Sequence, residues 1–112
     1  MVKKVQTGLK RLFLPGFHLR YNQNVHKPQE TLFKQLEKAK HKVRVGGLYY
    51  HYRNPELNYK VLMLAVTEFD DNICVIYKAQ YGRKLVFVRP LNSWLDKVEW
   101  KGIKTDRFTS LQ

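Results

Sequence analysis

His51 lies in the run Tyr49-Tyr50-His51-Tyr52-Arg53, and a neutral imidazole set among phenols can donate, accept and titrate near physiological pH. Arg89 stands next to Pro90 at the end of an apolar run, where its planar guanidinium can hold a carboxylate or phosphate through two parallel hydrogen bonds. An ion pair with Asp96 or Glu99 is the plainer use of that charge. Tyr52, Tyr77, Tyr81 and Phe87 fall in neighbouring tracts. The tyrosines at 49, 50, 52, 59, 77 and 81 are too many for every hydroxyl to be buried unpaired, so some rings are expected half covered at a rim. The candidate ligand site is therefore His51, Tyr52, Tyr77, Tyr81, Phe87 and Arg89.

Catalytic chemistry has fewer parts. A general base needs a partner, no Ser or Cys sits near His51 in sequence, and Asp70, Asp71 and Asp96 are explained by turns and caps, so no nucleophilic triad is visible and no catalytic residue is named. His51 reads as a structural or ligand-contacting residue. His18, His26, His41 and His51 are scattered rather than set at the close repeated spacing of a zinc site, so no metal is expected. Gly46-Gly47 is not followed by the Lys-Ser/Thr or helix opening of a phosphate-binding loop, and no cofactor is implied. Cys74 is the only cysteine; it excludes an intrachain disulfide and a cysteine zinc site, and points to a reducing, cytoplasmic setting.

The elements that must position these residues follow from periodicity. Val2, Val5, Leu9, Leu12 and Phe13 recur at helical spacing with Lys3, Lys4, Lys10 and Arg11 between them and Pro15-Gly16 as a stop. Three readings of this segment compete: a helix docked on the body of the protein, an arm ordered only by a polyanion, or a membrane or targeting segment. Pro28, Glu30 and the stripe Leu32, Phe33, Leu36 and Ala39 predict a second helix ending near Lys42, with Lys27, Lys34, Lys38, Lys40 and Lys42 on its other face. The stretch 17–26 reads as a connecting loop.

After Gly46-Gly47 the period switches to two. Tyr49, His51 and Arg53 should face one way and Leu48, Tyr50 and Tyr52 the other. Residues 59–67, 73–79 and 85–89 read as a three-stranded meander joined at Asp70-Asp71-Asn72 and Tyr81-Gly82-Arg83, the first strand apolar and covered on both faces. Pro90 ends the meander. Leu91 to Val98 has helical or 3₁₀ spacing, Trp100-Lys101-Gly102-Ile103 makes a small hairpin, and Phe108 tacks the tail onto the core. The expected fold is mainly β: a small SH3-like β-barrel of about five strands over 45–112, with an N-terminal basic helical extension over 1–44. A barrel of that size is marginal alone, so cover by Phe33 and Leu36 would help stabilise it.

Charge follows the same division. The 112 residues carry a formal net charge of +12. Residues 1–44 hold 11 basic and 2 acidic side chains, a net of +9, against +3 for the remainder. Lys3, Lys4, Lys10, Arg11, Arg20, Lys34 and Lys38 are the candidate polyanion contacts, since charge of one sign attracts RNA, DNA or anionic lipid without specifying which. No stretch approaches the roughly 20 apolar residues that span a bilayer.

The tracts Tyr50-His51-Tyr52-Arg53, Tyr59-Lys60-Val61, Val75-Ile76-Tyr77-Lys78-Ala79, Tyr81-Gly82, Val88-Arg89-Pro90-Leu91 and Arg107-Phe108 occur in one order. Over residues 46–111 they resemble a small bacterial family known as the domain of unknown function number sixteen fifty-three. The resemblance implies an SH3-like barrel and no assigned activity. This chain departs from that pattern with Phe87 where a Trp is usual before Val-Arg-Pro, and with a longer, less glycine-rich loop at Asn54-Pro55-Glu56-Leu57-Asn58.

Two functions are compatible with these residues. The first is a noncatalytic binding module in which an aromatic rim stacks bases and the basic arm contacts phosphates, with RNA favoured over DNA. The second is a pocket for a small anionic metabolite around His51, Tyr52, Tyr77 and Arg89, with or without catalysis.

Overall fold

A computed structural model describes residues 26–112 of the chain. The expected N-terminal helix, and with it Lys3, Lys4, Lys10, Arg11 and Arg20, lies outside the described residues. The rest is mainly β, with the elements in the order α1 (Gln29–Lys40), β1 (Leu48–His51), β2 (Asn54–Thr67), β3 (Asn72–Ala79), β4 (Val86–Pro90), α2 (Leu91–Leu95), β5 (Lys97–Trp100), β6 (Ile103–Asp106) and β7 (Phe108–Ser110). Five strands form one antiparallel sheet in the order β4-β3-β2-β1-β7, and β5 and β6 form a separate hairpin.

α1 begins directly after Pro28, whose φ of −54° suits a helix entrance, and carries Glu30 in its first turn and Lys38 and Lys40 in its last, matching the helix dipole. Its buried contribution is smaller and later than the stripe predicts. Ala39 is buried, and Val43, just beyond the helix, is fully so, whereas Phe33 is 56% exposed. The stabilising cover therefore comes from the C-terminal end of α1 rather than from Phe33.

Gly46 has a φ of +84°, a conformation that costs an L side chain roughly 1–2 kcal/mol, and its turn lets the chain pair at once with β2: Gly46 N–H donates to the Val61 carbonyl at 2.8 Å and Val61 N–H to that of Gly47 at 3.0 Å. β2 is longer than the sequence pattern predicts: Asn54 pairs with His51 and Asn58 with Tyr50, and Pro55, Glu56 and Leu57, read as part of a loop, lie in the register shift between those two pairs. It also carries a bulge between Val61 and Met63. The extra residue reverses the alternation, so Val61 and Leu64 both pack in the core while Met63 is 51% exposed. β2 is thus open at Met63, where the pattern predicts cover on both faces, while Leu62 and the residues from Leu64 to Thr67 are half-buried.

The core is Val43, Tyr49, Val61, Val75, Tyr77, Trp94 and Phe108, with Tyr59, Leu64 and Leu91 packed against it. Trp94 comes from α2 and stacks flat on Phe108 of β7, ring centroids 3.8 Å apart and planes 5° apart. Tyr77 of β3 meets that Phe108 at 5.6 Å, although two strands separate β3 from β7 in the sheet. Such a contact requires the sheet to curl, which is the SH3-like barrel expected. The β5–β6 hairpin turns through Lys101 (φ +54°) and Gly102 (φ +80°), both left-handed as a two-residue type I′ turn demands. Tyr52, just after β1, packs on Trp100 of the hairpin at 5.1 Å, and its N–H donates at 3.0 Å to the carbonyl of Arg107, just after β6.

Candidate functional site

The concave side of the curled sheet holds a cavity of ≈ 260 Å³ lined by His51, Tyr59, Tyr77, Phe87, Arg89 and Phe108. Every strand of the sheet contributes at least one of these side chains. The register explains the convergence: His51 of β1 is paired with Phe108 of β7, Tyr77 of β3 with Phe87 of β4, and Arg89 lies two residues further along β4 on the same face.

Of the six residues singled out for a ligand, four line this cavity. The other two support it. Tyr81 bonds its hydroxyl to that of Tyr59 at 2.6 Å, and Tyr52 packs on the His51 ring at 4.5 Å. Tyr50, Tyr52, Tyr59 and Tyr81 are half-buried, as a rim of partly covered rings requires, and Phe87 is exposed. Tyr77 is only 6% exposed, and the buried Tyr49 accepts the Arg44 N–H on its hydroxyl at 2.8 Å, so these two belong to the core instead. Tyr59 and Phe108 complete the wall without being among those six. In the sequence Phe108 reads as a core residue, and Tyr59 carries the same signal as its neighbours in the tyrosine series.

Arg89 has neither of the carboxylate partners the sequence offered. Its Nη1 donates to Ser93 Oγ at 2.8 Å, one helical turn onward in α2, and its guanidinium carbon sits 5.4 Å from the centre of the Phe108 ring. Its Nε is buried and has no hydrogen-bond partner among the described residues. Asp96 instead faces Arg107, whose Nη2 stands 3.9 Å from a carboxylate oxygen, and Arg107 Nε is also buried without a partner. Two guanidinium groups near His51 thus retain unused donors.

The electrostatics agree. His51 is held below its ordinary pKa of 6.5, first by burial and then by the positive charges of Arg89, Arg107 and Arg53. The imidazole is therefore neutral at neutral pH, and its Nδ1 accepts the Arg53 backbone N–H at 3.2 Å, which places the ring hydrogen on Nε2. Tyr59 is pushed up to about 12, by burial and then by its hydrogen bond to Tyr81, and stays a neutral phenol. The cavity is lined by rings and a cation, with no carboxylate in its wall. An aromatic enclosure alone would suit a cationic ligand. Arg89 reverses that preference, because a second positive charge about 4 Å away costs roughly 4 kcal/mol near a protein surface.

A second cleft, of ≈ 280 Å³, runs between α1 and the β3–α2 side of the barrel and is lined by Lys27, Lys38 and Lys42 and the amides Gln35, Asn72 and Asn92, among others. Lys38 is thus brought to this cleft. Lys34 lies exposed on α1. Among the described residues no group of His, Cys, Asp and Glu is arranged to hold a metal ion, and no helix is long and apolar enough to cross a membrane.

Residues 47–110 match the family model described as a protein of unknown function, DUF1653. The fold is similar to the crystal structure of a protein belonging to that family from Bordetella bronchiseptica, at 27% identity and a TM-score of 0.53, over 61% of this chain and 87% of that one. No curated protein matches the chain.

Proposed function

Since the chain belongs to the DUF1653 family, whose description carries no activity, we propose from the cavity itself that the domain is a noncatalytic binding module for a small anion, a carboxylate or phosphate joined to an apolar or flat body. The observation that carries this reading is Arg89: a guanidinium with a buried, unpartnered Nε at the wall of a cavity otherwise made of four aromatic rings and an imidazole. Hydrogen bonds to charged groups contribute about 1.5–3 kcal/mol each, and the rings supply the apolar contact. The wall holds no hydroxyl or thiol nucleophile beyond the phenols.

The test is a titration of the full chain with benzoate, acetylated glutamate and phenyl phosphate, followed by NMR amide shifts. Binding should centre on His51, Phe87 and Arg89, and Arg89→Lys, which keeps the charge but loses the fork, should weaken it about tenfold, equivalent to about 1.4 kcal/mol. Equal binding by Arg89→Lys and Arg89→Ala would rule the reading out.

A second reading, binding of RNA or DNA, is favoured by the lysine and amide cleft beside α1, where Lys27, Lys38 and Lys42 make no ion pair among the described residues. Phosphate contacts of this kind release counterions, so affinity should fall steeply with salt, and Lys38→Gln with Lys42→Gln should flatten that slope by about two ions. A slope unchanged in the double variant excludes the cleft as the nucleic-acid site.

A further inference from the structure

We propose that the free edge of β4 and the aromatic cavity form one continuous site for an extended peptide segment, whose main chain pairs with β4 while an Asp or Glu side chain enters the cavity toward Arg89. This rests on the anion reading of the cavity and adds what carries the anion.

The edge is open and its phase can be read. Among the described residues β4 ends the sheet, with β3 as its one neighbour. Ala79 N–H donates to the Leu85 carbonyl at 2.9 Å, and the pairs Tyr77–Phe87 and Val75–Arg89 follow at two-residue intervals. In an antiparallel ladder every second pair is the bonded one, so Phe87 and Arg89 spend their backbone groups on β3. Val86 and Val88 turn theirs to the vacant side. Pro90, which has no N–H, occupies the next position of that same phase, opposite Cys74, and limits the edge to those two residues.

Side chains alternate in the opposite sense. Phe87 and Arg89 point into the cavity, while Val86 and Val88 are 52% and 62% exposed on the other face. A strand added at this edge would place its alternate side chains beside Phe87 and Arg89, where the cavity meets the edge of the sheet. The cavity, at ≈ 260 Å³, has room for one such side chain. A native edge strand that exposes valines is unusual without a partner, because unpaired backbone groups beside apolar side chains invite pairing. The chemistry of the occupant follows from charge: Arg83 and Lys84 lead into β4 and are exposed, Arg89 closes it, and no acid lies between Asn72 and Asp96. A second copy of this basic edge would repel it, whereas an acidic segment complements it.

The experiment compares end-blocked single glutamate with an end-blocked pentapeptide carrying that glutamate at its centre between valines, both titrated into the isotope-labelled full chain. The pentapeptide should bind at least tenfold more tightly, with the Val86 and Val88 amides shifted only by the longer ligand. N-methylation of the pentapeptide amides that face β4 should cancel the gain, as should Val88→Pro, while single glutamate binds as before; the methylated peptide answers the question even where the proline variant does not fold. Equal affinity for the two ligands overturns the proposal and leaves the anion cavity standing. Absence of binding by either overturns both. Dimers joined through β4, detected by sedimentation of the unliganded chain, would show that the edge serves a second copy and overturn it as well.

Discussion

At the scale of single residues, His51 couples the cavity to pH. Burial and the neighbouring arginines keep its native pKa under 6.5, so as the pH falls through about 6.5 the unfolded chain takes up a proton before the folded one does. The folded state therefore loses stability on acidification, across the window between the ordinary value and the lowered native one. An anion beside Arg89 offsets part of the positive potential and raises His51 back toward its ordinary value. Anion binding should accordingly take up a fraction of a proton near pH 6 and strengthen as the pH is lowered from 8 to 6. Calorimetry in buffers of different ionisation enthalpy measures that uptake, and His51→Gln should abolish it while retaining anion affinity within a few fold. The types of these residues were legible in the sequence, but their partners were not. Arg89 chose Ser93 over Asp96 and Glu99 because α2 turns back directly after Pro90 and brings the hydroxyl to the guanidinium.

At the scale of elements, the turn between β2 and β3 fastens the segment that leads into α1. Asp71, buried and in a left-handed conformation at φ +58°, accepts the Lys27 backbone N–H and pairs with His26 Nδ1, both at 2.7 Å. The Lys27 N–H above all, and His26 after it, hold the carboxylate below its ordinary pKa of 3.8. A lowered carboxylate stabilises the fold fully above its unfolded pKa and loses that contribution as the pH drops toward the native value. Asp71→Asn keeps a residue that tolerates the left-handed turn. It should lower the melting temperature at pH 7, with the difference from the parent shrinking below pH 4, and should speed amide exchange at Lys27. The sequence marked this aspartate as a turn residue, which it is. Its grip on a segment 44 positions earlier has no local signal.

At the scale of the whole molecule, the cavity exists because the sheet curls around a core of rings. Tyr77, Trp94 and Phe108 come from β3, α2 and β7 and meet at centroid distances of 3.8–5.6 Å, so walls of the aromatic cavity are also the inner layer of the fold. Function-directed substitutions at Tyr77 or Phe108 would destabilise the domain by about 3–5 kcal/mol, which is why Arg89 and His51 are the informative positions. The basic cleft beside α1 shares no lining residue with the cavity. The two proposed sites are therefore separable by experiment in one protein, the cleft by a salt slope with nucleic acid and the cavity by the Arg89 dependence with small anions.

Local patterning was sufficient for the mainly β architecture, the helix after Pro28, the turns at Asp71 and Gly102, and four of the cavity's six residues, because each of these is encoded within a few positions by period, proline or glycine. Three features were decided only in the folded molecule. The bulge after Val61 set which face of β2 is covered, since an added residue inverts a period-two pattern without altering its composition. The curl of the sheet gathered Tyr59, Tyr77, Phe87 and Phe108 around one cavity, since only packing across non-neighbouring strands determines which rings come to share a space. The missing carboxylate at Arg89 followed from the same cause: which of several nearby acids a charge meets depends on the path of the chain in space, and here that path led Asp96 to Arg107.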